Sequence, residues 1–180
     1  MEQILFGAPV AEQLDEISKN AFQKHSKDNE KPHLTAITVG DNPASLLYVT
    51  RKQEKALDLG VEFNWLKLDS NTSQETLEDV ITTESDSTDG LIIQLPLPSH
   101  LNPENAINCI PHEIDVDGLT SHNLGSYFSD TYNLIPATSL AVLELLNFYN
   151  IKTEDKNIVI AGRSRLCLLY TSPSPRDTRE

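Results

Sequence analysis

Apolar positions along this chain switch repeatedly between the three-and-four spacing of a helix and the short runs of a strand, and those switches divide it into elements. From Pro9 to about His25, the residues Val10, Leu14, Ile17 and Ala21 recur at helical spacing, and Pro9 suits a first helical turn. His33 to Val39 is β-branched and apolar and closes on Gly40-Asp41-Asn42-Pro43, which predicts a strand and then a turn. Ala44 to Leu59 returns to helical periodicity and stops at Gly60, placed to take the left-handed position after a helix. Val61 to Leu68 alternates, with Val61, Phe63, Trp65 and Lys67 on one side and Leu66 and Leu68 on the other.

The pattern continues in the same rhythm. Thr72-Ser73-Gln74-Glu75 has the form of a capping box and should open a helix. Gly90-Leu91-Ile92-Ile93-Gln94 reads as a buried strand, and Pro96 and Pro98 prevent its continuation. A short helix is predicted from near Asn102-Pro103 to before Pro111, and another from Ser139 to Tyr149 with Leu140, Leu143 and Leu146 as its buried stripe. Lys156 to Ala161 reads as a strand delivering Gly162-Arg163-Ser164. Strands alternating with helices imply an α/β fold whose parallel sheet carries helices on both faces.

Composition narrows the function more than the fold. The 180 residues carry a formal net charge of -13, so a nucleic acid or an anionic membrane surface is a poor partner and small molecules are the expected ligands. The few cations present then matter locally. The start, Met1 to Phe6, has neither a basic n-region with a long apolar stretch nor an Arg-rich transit composition, and the expected location is the cytoplasm. Cys109 and Cys167 form neither a disulfide framework nor a paired-thiol metal pattern.

Chemistry-bearing residues collect at four places. On the second helix, Tyr48 and Lys52 are one turn apart, so an aromatic face and an amine can address one pocket, with Ser45 beside them and Arg51 turned to solvent. An amine near apolar surface can act as a proton relay; the plainer reading is a snorkelling lysine with its stem packed and its head in water. Gln94 closes a buried strand at the end where α/β proteins place ligands, or else satisfies nearby backbone groups. Asp115-Val116-Asp117-Gly118 admits a turn, a Mg²⁺ site of phosphotransferase type extending to Thr120, or one carboxylate offered to an amidine-like N–H pair. Gly162-Arg163-Ser164 follows a predicted strand, where backbone N–H groups meet phosphates and an arginine can pair with a 2′-phosphate.

Taken in order, Val39 to Ser45 with Tyr48-Val49-Thr50-Arg51-Lys52, Gln94-Leu95-Pro96-Leu97-Pro98, Asp115-Val116-Asp117-Gly118, Ile135-Pro136-Ala137-Thr138 and Gly162-Arg163-Ser164 make the chain resemble the bifunctional methylenetetrahydrofolate dehydrogenase/methenyltetrahydrofolate cyclohydrolase family, over about Ile4 to Ser164. The resemblance implies that Lys52 activates water and moves protons, Tyr48 stacks on the substrate, Gln94 positions Lys52 and Asp117 anchors the pterin, with Ser45 and Pro96 completing the substrate-binding set. It implies tetrahydrofolate derivatives as ligands, NADP held by Gly162, Arg163 and Ser164, and a homodimer for the full-length parent. It also implies a folate-binding catalytic domain over 1–137, the beginning of a Rossmann NADP-binding domain over 138–164, and a tail over 165–180 that departs from the family and is expected to be disordered.

The departures are specific. Thr138-Ser139-Leu140-Ala141 stands where the family continues Thr-Pro-x-Gly, and Arg165-Leu166-Cys167 stands where a Val-Gly-Pro continuation is expected. Three of the five arginines, Arg165, Arg176 and Arg179, fall in the last sixteen residues, so the chain is expected to leave the family pattern inside the cofactor domain. Two rivals follow: an inactive or folate-binding-only fragment, and a magnesium-dependent phosphatase using Asp115 and Asp117.

Overall fold

The computed structural model describes residues 3–25, 31–129, 131 and 134–159. Nine elements occur among them: α1 (Ala8–His25), β1 (His33–Val39), α2 (Pro43–Asp58), β2 (Glu62–Leu68), α3 (Gln74–Ser85), β3 (Gly90–Ile93), α4 (Pro103–Asn108), α5 (Ser121–Phe128) and α6 (Ala137–Phe148). The chain divides into two compact units, Leu14–Leu134 and a second made of Met1–Gln13 with Ile135–Glu180.

The larger unit is built on a parallel sheet in the order β2-β1-β3. β1 pairs from His33↔Glu62 to Val39↔Leu68 on one side and from Leu34↔Gly90 to Ile37↔Ile93 on the other. A central parallel strand is covered on both faces, which is why Thr35 to Val39 are all buried and why this segment reads as a continuous run instead of an alternation. On one face Ile37, Val39, Leu91 and Ile93 pack with Leu77 and Ile81 of α3 and Ala106 of α4, joined by Leu66 and Leu68. On the other, Ala36 and Ile92 pack with Val49 of α2, joined by Phe63 and Trp65. The two sides expected of β2 are therefore the two faces of the sheet. Ile37, Leu77, Ile81 and Leu91 are fully buried, each contributing about 1.5–3 kcal/mol of transfer free energy.

Local signals explain most boundaries. Asn42 caps α2 by accepting from the N–H groups of Ala44 and Ser45, and Pro43 opens its first turn. Gly60 follows the helix at φ +82°, donating to the Leu57 carbonyl, a conformation glycine takes without a Cβ penalty. Asn102 and Pro103 start α4 in the same way as Asn42 and Pro43 start α2. The expected capping box does not form. Ser73, one residue later, is the N-cap and accepts from Thr76 N–H, because Thr72 is held in a turn donating to the Asp69 carbonyl. α5 is announced only by Leu124, Tyr127 and Phe128, a helical spacing confined to one turn, and by Thr120, whose hydroxyl accepts from Asn123 N–H.

Gly90 shows how tightly β3 meets the turn beyond it. A Cβ there would lie 2.7 Å from Val116 Cγ1 and 3.1 Å from Leu34 Cδ1. Gly90→Ala is expected to destabilise the chain by about 1–3 kcal/mol, since both neighbours must move; a urea midpoint unchanged from wild type would contradict this packing.

In the smaller unit, α6 ends in a left-handed Asn150 at φ +54°, with Ile151 N–H donating to the Leu146 carbonyl, as in a Schellman ending. The Tyr149 hydroxyl donates to the Phe6 carbonyl at 3.1 Å and lies 3.3 Å from the Phe6 nitrogen, which donates to it. Two expectations fail in this unit. The stripe of Leu140, Leu143 and Leu146 is not buried: no α6 residue falls in the buried class, and Leu143 is 46% exposed. Residues 156–159 form no strand, because a strand requires a neighbour for its backbone groups and none of the described residues pairs with them. Among the described residues no helix is long and apolar enough to cross a membrane.

Candidate functional site

Three segments of the larger unit converge: the middle of α2, the Gln94-to-Pro98 segment after β3, and the 115–118 turn. The last is positioned by β3 itself, since Leu91 N–H donates to the Ile114 carbonyl and Leu91 forms a parallel bridge with Asp115. Gly118 N–H then donates back to the Asp115 carbonyl at 3.1 Å, closing the turn.

Asp115 and Asp117 divide their labour. The buried Asp115 carboxylate accepts from Leu119 N–H on Oδ1 and from Thr120 N–H and Asn123 Nδ2 on Oδ2. Its lone pairs are engaged by neutral donors, so it organises the turn and the start of α5. Thr120, the other residue of the phosphotransferase-like pattern, is the helix cap. The phosphatase reading is set aside on this geometry, because a metal-holding carboxylate would have to abandon those N–H groups. Asp117 instead faces α2, with Oδ2 3.7 Å from Lys52 Nζ. Both side chains are about a third exposed, at 35% and 30%, so the attraction is partly screened and the two groups stay exchangeable.

Around that pair, Ser45 Oγ donates to the Leu95 carbonyl at 3.4 Å and Gln94 Nε2 donates to the same carbonyl at 2.9 Å. The Ser45 bond ties α2 to the segment that carries Pro96, which follows a cis peptide bond. Gln94 Oε1 is buried and has no hydrogen-bond partner among the described residues, leaving an amide acceptor ready for a donor. No hydrogen bond joins Gln94 to Lys52. Tyr48 is 60% exposed, one turn before Lys52, with its ring available as a platform.

A cavity of about 550 Å³ opens beside these residues, lined by Tyr48, Lys52 and Val116 and floored by Leu34 and Ile92 of the sheet. Arg51 also lines it. Its expected direction toward solvent is thus half right: the side chain is exposed, yet it borders the same space as Tyr48 and Lys52. Lys55, one turn on, is already committed, with Nζ 2.6 Å from Asp15 Oδ2; that hydrogen bond, opposed by some desolvation, raises its pKa above the ordinary lysine value. Burial likewise pushes the Cys109 thiol up, with help from the charge of Glu78, consistent with an unreactive packing residue. Gly162, Arg163 and Ser164 lie outside the described residues. Of the expected set, the structure brings together Ser45 with Gln94 and Lys52 with Asp117. The Asp115 role, and the place of Arg51 on the cavity, had no signal in spacing alone.

Comparison with known proteins agrees with the motif order. The family described as tetrahydrofolate dehydrogenase/cyclohydrolase, catalytic domain, matches residues 5–117. A bifunctional protein FolD from Salinibacter ruber is 36% identical over 165 residues, covering 91% of this chain and 56% of that protein. A mitochondrial bifunctional methylenetetrahydrofolate dehydrogenase/cyclohydrolase 2 from Mus musculus is 39% identical over 167 residues, covering 90% of this chain and 49% of that protein. Among solved structures, a Campylobacter jejuni FolD superposes with a TM-score of 0.86 at 32% identity, over 91% of this chain and 59% of that one. A Trypanosoma brucei FolD, solved with NADP cofactor and an inhibitor, superposes with a TM-score of 0.85 at 27% identity, over 93% and 59% of the two chains. The chain thus spans roughly half to three-fifths of the relatives it matches.

Proposed function

Because the chain belongs to the tetrahydrofolate dehydrogenase/cyclohydrolase family, we propose that it carries the folate-binding catalytic part of a bifunctional enzyme of one-carbon metabolism. Such an enzyme oxidises methylenetetrahydrofolate to methenyltetrahydrofolate with NADP and hydrolyses the methenyl product to formyltetrahydrofolate. The observation that carries this reading is the Lys52–Asp117 pair at 3.7 Å, whose lysine lines a cavity with Tyr48 one turn before it.

Each residue has a role its position supports. Asp117 offers a carboxylate to the amidine-like N–H pair of a pterin, a two-point contact that orients the ring. Accepting that contact draws it from Lys52; once the Lys52 ammonium has released a proton to solvent, the neutral amine takes a proton from the water that attacks the methenyl carbon. Water adds to that carbon and gives one proton to the neutral Lys52 amine. The hydroxyl of the adduct then gives up its proton as it becomes the formyl C=O, one ring nitrogen takes that proton as its bond to the carbon breaks, and the formyl group stays on the other nitrogen. Tyr48 supplies a stacking face, Gln94 Oε1 an acceptor for the amine or a ring N–H, and Ser45 fastens the Leu95 carbonyl, just before Pro96, to α2.

NADP supplies the hydride acceptor for the oxidation. Its assignment rests on the relative solved with NADP and on Gly162, Arg163 and Ser164, whose backbone N–H groups and guanidinium suit a phosphate-bearing dinucleotide. We assign 1–137 to the folate domain, 138–164 to the start of a Rossmann-type cofactor domain and 165–180 to a segment outside the family pattern. The division between Leu134 and Ile135 supports the first boundary, although residues 1–13 group with the later part. A homodimer is proposed for the longer parent.

The test is loss of the methenyltetrahydrofolate absorbance with and without the chain, alongside thermal melting with 5-formyltetrahydrofolate. Hydrolysis faster than buffer, with an upward melting shift, is expected. A shift without hydrolysis would leave a folate-binding-only protein, and neither effect would sink the reading.

A further inference from the structure

The cavity has a charge feature that the hydrolytic chemistry does not use. Tyr48, Arg51, Lys52 and Lys55 follow one another at i, i+3, i+4 and i+7 on α2, so all four border a single space. Two of the three cations are matched: Lys52 by Asp117 and Lys55 by Asp15. Arg51 has no ion pair with a described residue, and it is the sole arginine among them. In a chain of net charge -13, acidic side chains are abundant, yet none of the described ones is placed on this guanidinium. An open fork of N–H donors at the rim of a largely apolar pocket is suited to a planar carboxylate arriving with a ligand.

We propose that Arg51 is a specificity residue that binds the glutamate carboxylate of the folate substrate, with the aromatic spacer of that substrate lying along Tyr48 and the Leu34–Ile92 floor. The inference rests on the folate reading above and adds which end of the ligand occupies the Arg51 side. The cavity's 550 Å³ falls in the range of small-molecule sites, about 300–1,000 Å³. The order along α2 separates the jobs: Lys52 and Asp117 meet the pterin end, while Arg51, on the adjacent helix position and more exposed, meets the anionic end.

The experiment compares binding of 5-formyltetrahydrofolate with that of 5-formyltetrahydropteroate, which lacks the glutamate, to the full chain and to its Arg51→Gln and Arg51→Lys variants by titration calorimetry. Wild type is expected to prefer the glutamate-bearing ligand by about tenfold, the size of a partly exposed charge-assisted pair. Arg51→Gln should reduce that ratio below about twofold, and Arg51→Lys should retain part of it. An unchanged ratio in Arg51→Gln, or equal weakening of both ligands, overturns the assignment while leaving folate binding intact. Wild type binding neither compound instead removes the folate reading, and the Arg51 role falls with it.

Discussion

Asp115→Ala should lower the stability of the chain by about 3–5 kcal/mol, measured as a shift of the urea unfolding midpoint. The buried carboxylate accepts from Leu119 N–H, Thr120 N–H and Asn123 Nδ2. Alanine leaves the buried Thr120 N–H and the half-buried Leu119 N–H without this acceptor and removes one of the two acceptors of Asn123 Nδ2, and each unsatisfied buried donor costs about 1–3 kcal/mol before the turn relaxes. Relaxation is restricted because the neighbouring residue, Ile114, accepts from β3 and Thr120 caps α5. Asp115→Asn should recover only part of the loss, since one amide oxygen replaces two carboxylate oxygens and the new NH2 faces donors. A metal-binding role for Asp115 predicts the reverse, because removing a carboxylate from a cluster relieves repulsion. A loss under about 1 kcal/mol would contradict the role of this carboxylate as the organiser of the turn.

Lys52→Met should reduce methenyltetrahydrofolate hydrolysis by about 10²–10⁴-fold, the usual contribution of a positioned proton-transfer group. The unfolding midpoint should hardly change. Lys52 is about one third exposed, its ion pair with Asp117 at 3.7 Å is screened, and methionine keeps the apolar stem. The informative quantity is the split between kcat and KM. A fall confined to kcat places the amine in the chemical step, whereas a fall confined to KM would make Lys52 a binding group. More than a tenth of wild-type kcat remaining would end the general-base assignment.

The legible parts of the sequence were those in which a local signal and a buried face agree. His33–Val39 is all apolar or β-branched after its first residue because a central parallel strand is covered twice, and the structure returns the same seven residues. Asn42-Pro43 and Gly60 bracket α2 because capping is a matter of neighbouring backbone groups, settled within four residues. Where two local signals compete, the sequence does not choose: Thr72 and Ser73 both cap well, and the Asp69 turn decided for Ser73. α5 was not predicted from sequence because its apolar positions, Leu124, Tyr127 and Phe128, cover a single turn and Gly125 interrupts the segment. The leucines of α6 have composition without cover, and Lys156 to Val159 have strand composition without a partner; burial and pairing belong to neighbours, not to a segment.

The candidate site divides along the same line. Residue order along α2 determined that Tyr48 and Lys52 share a face, and the family motifs singled out Gln94 and Asp117. Which of two nearby carboxylates meets the lysine was decided only by tertiary structure. Asp115 and Asp117 are equivalent as letters two positions apart, but the hydrogen bond of Leu91 to Ile114 aligns the turn beside β3, burying Asp115 among N–H donors and turning Asp117 toward α2. Arg51 is the same case in reverse: helical angle alone sends it toward solvent, and only the space between α2 and the sheet makes that exposed position the wall of a cavity. Local order thus set which side chains share a helix face or cap an end, because those depend on backbone within a turn. Partners came from packing, because Leu91 meets Ile114 23 residues on and Lys52 meets Asp117 65 residues on, and desolvation and hydrogen-bond satisfaction depend on such distant segments.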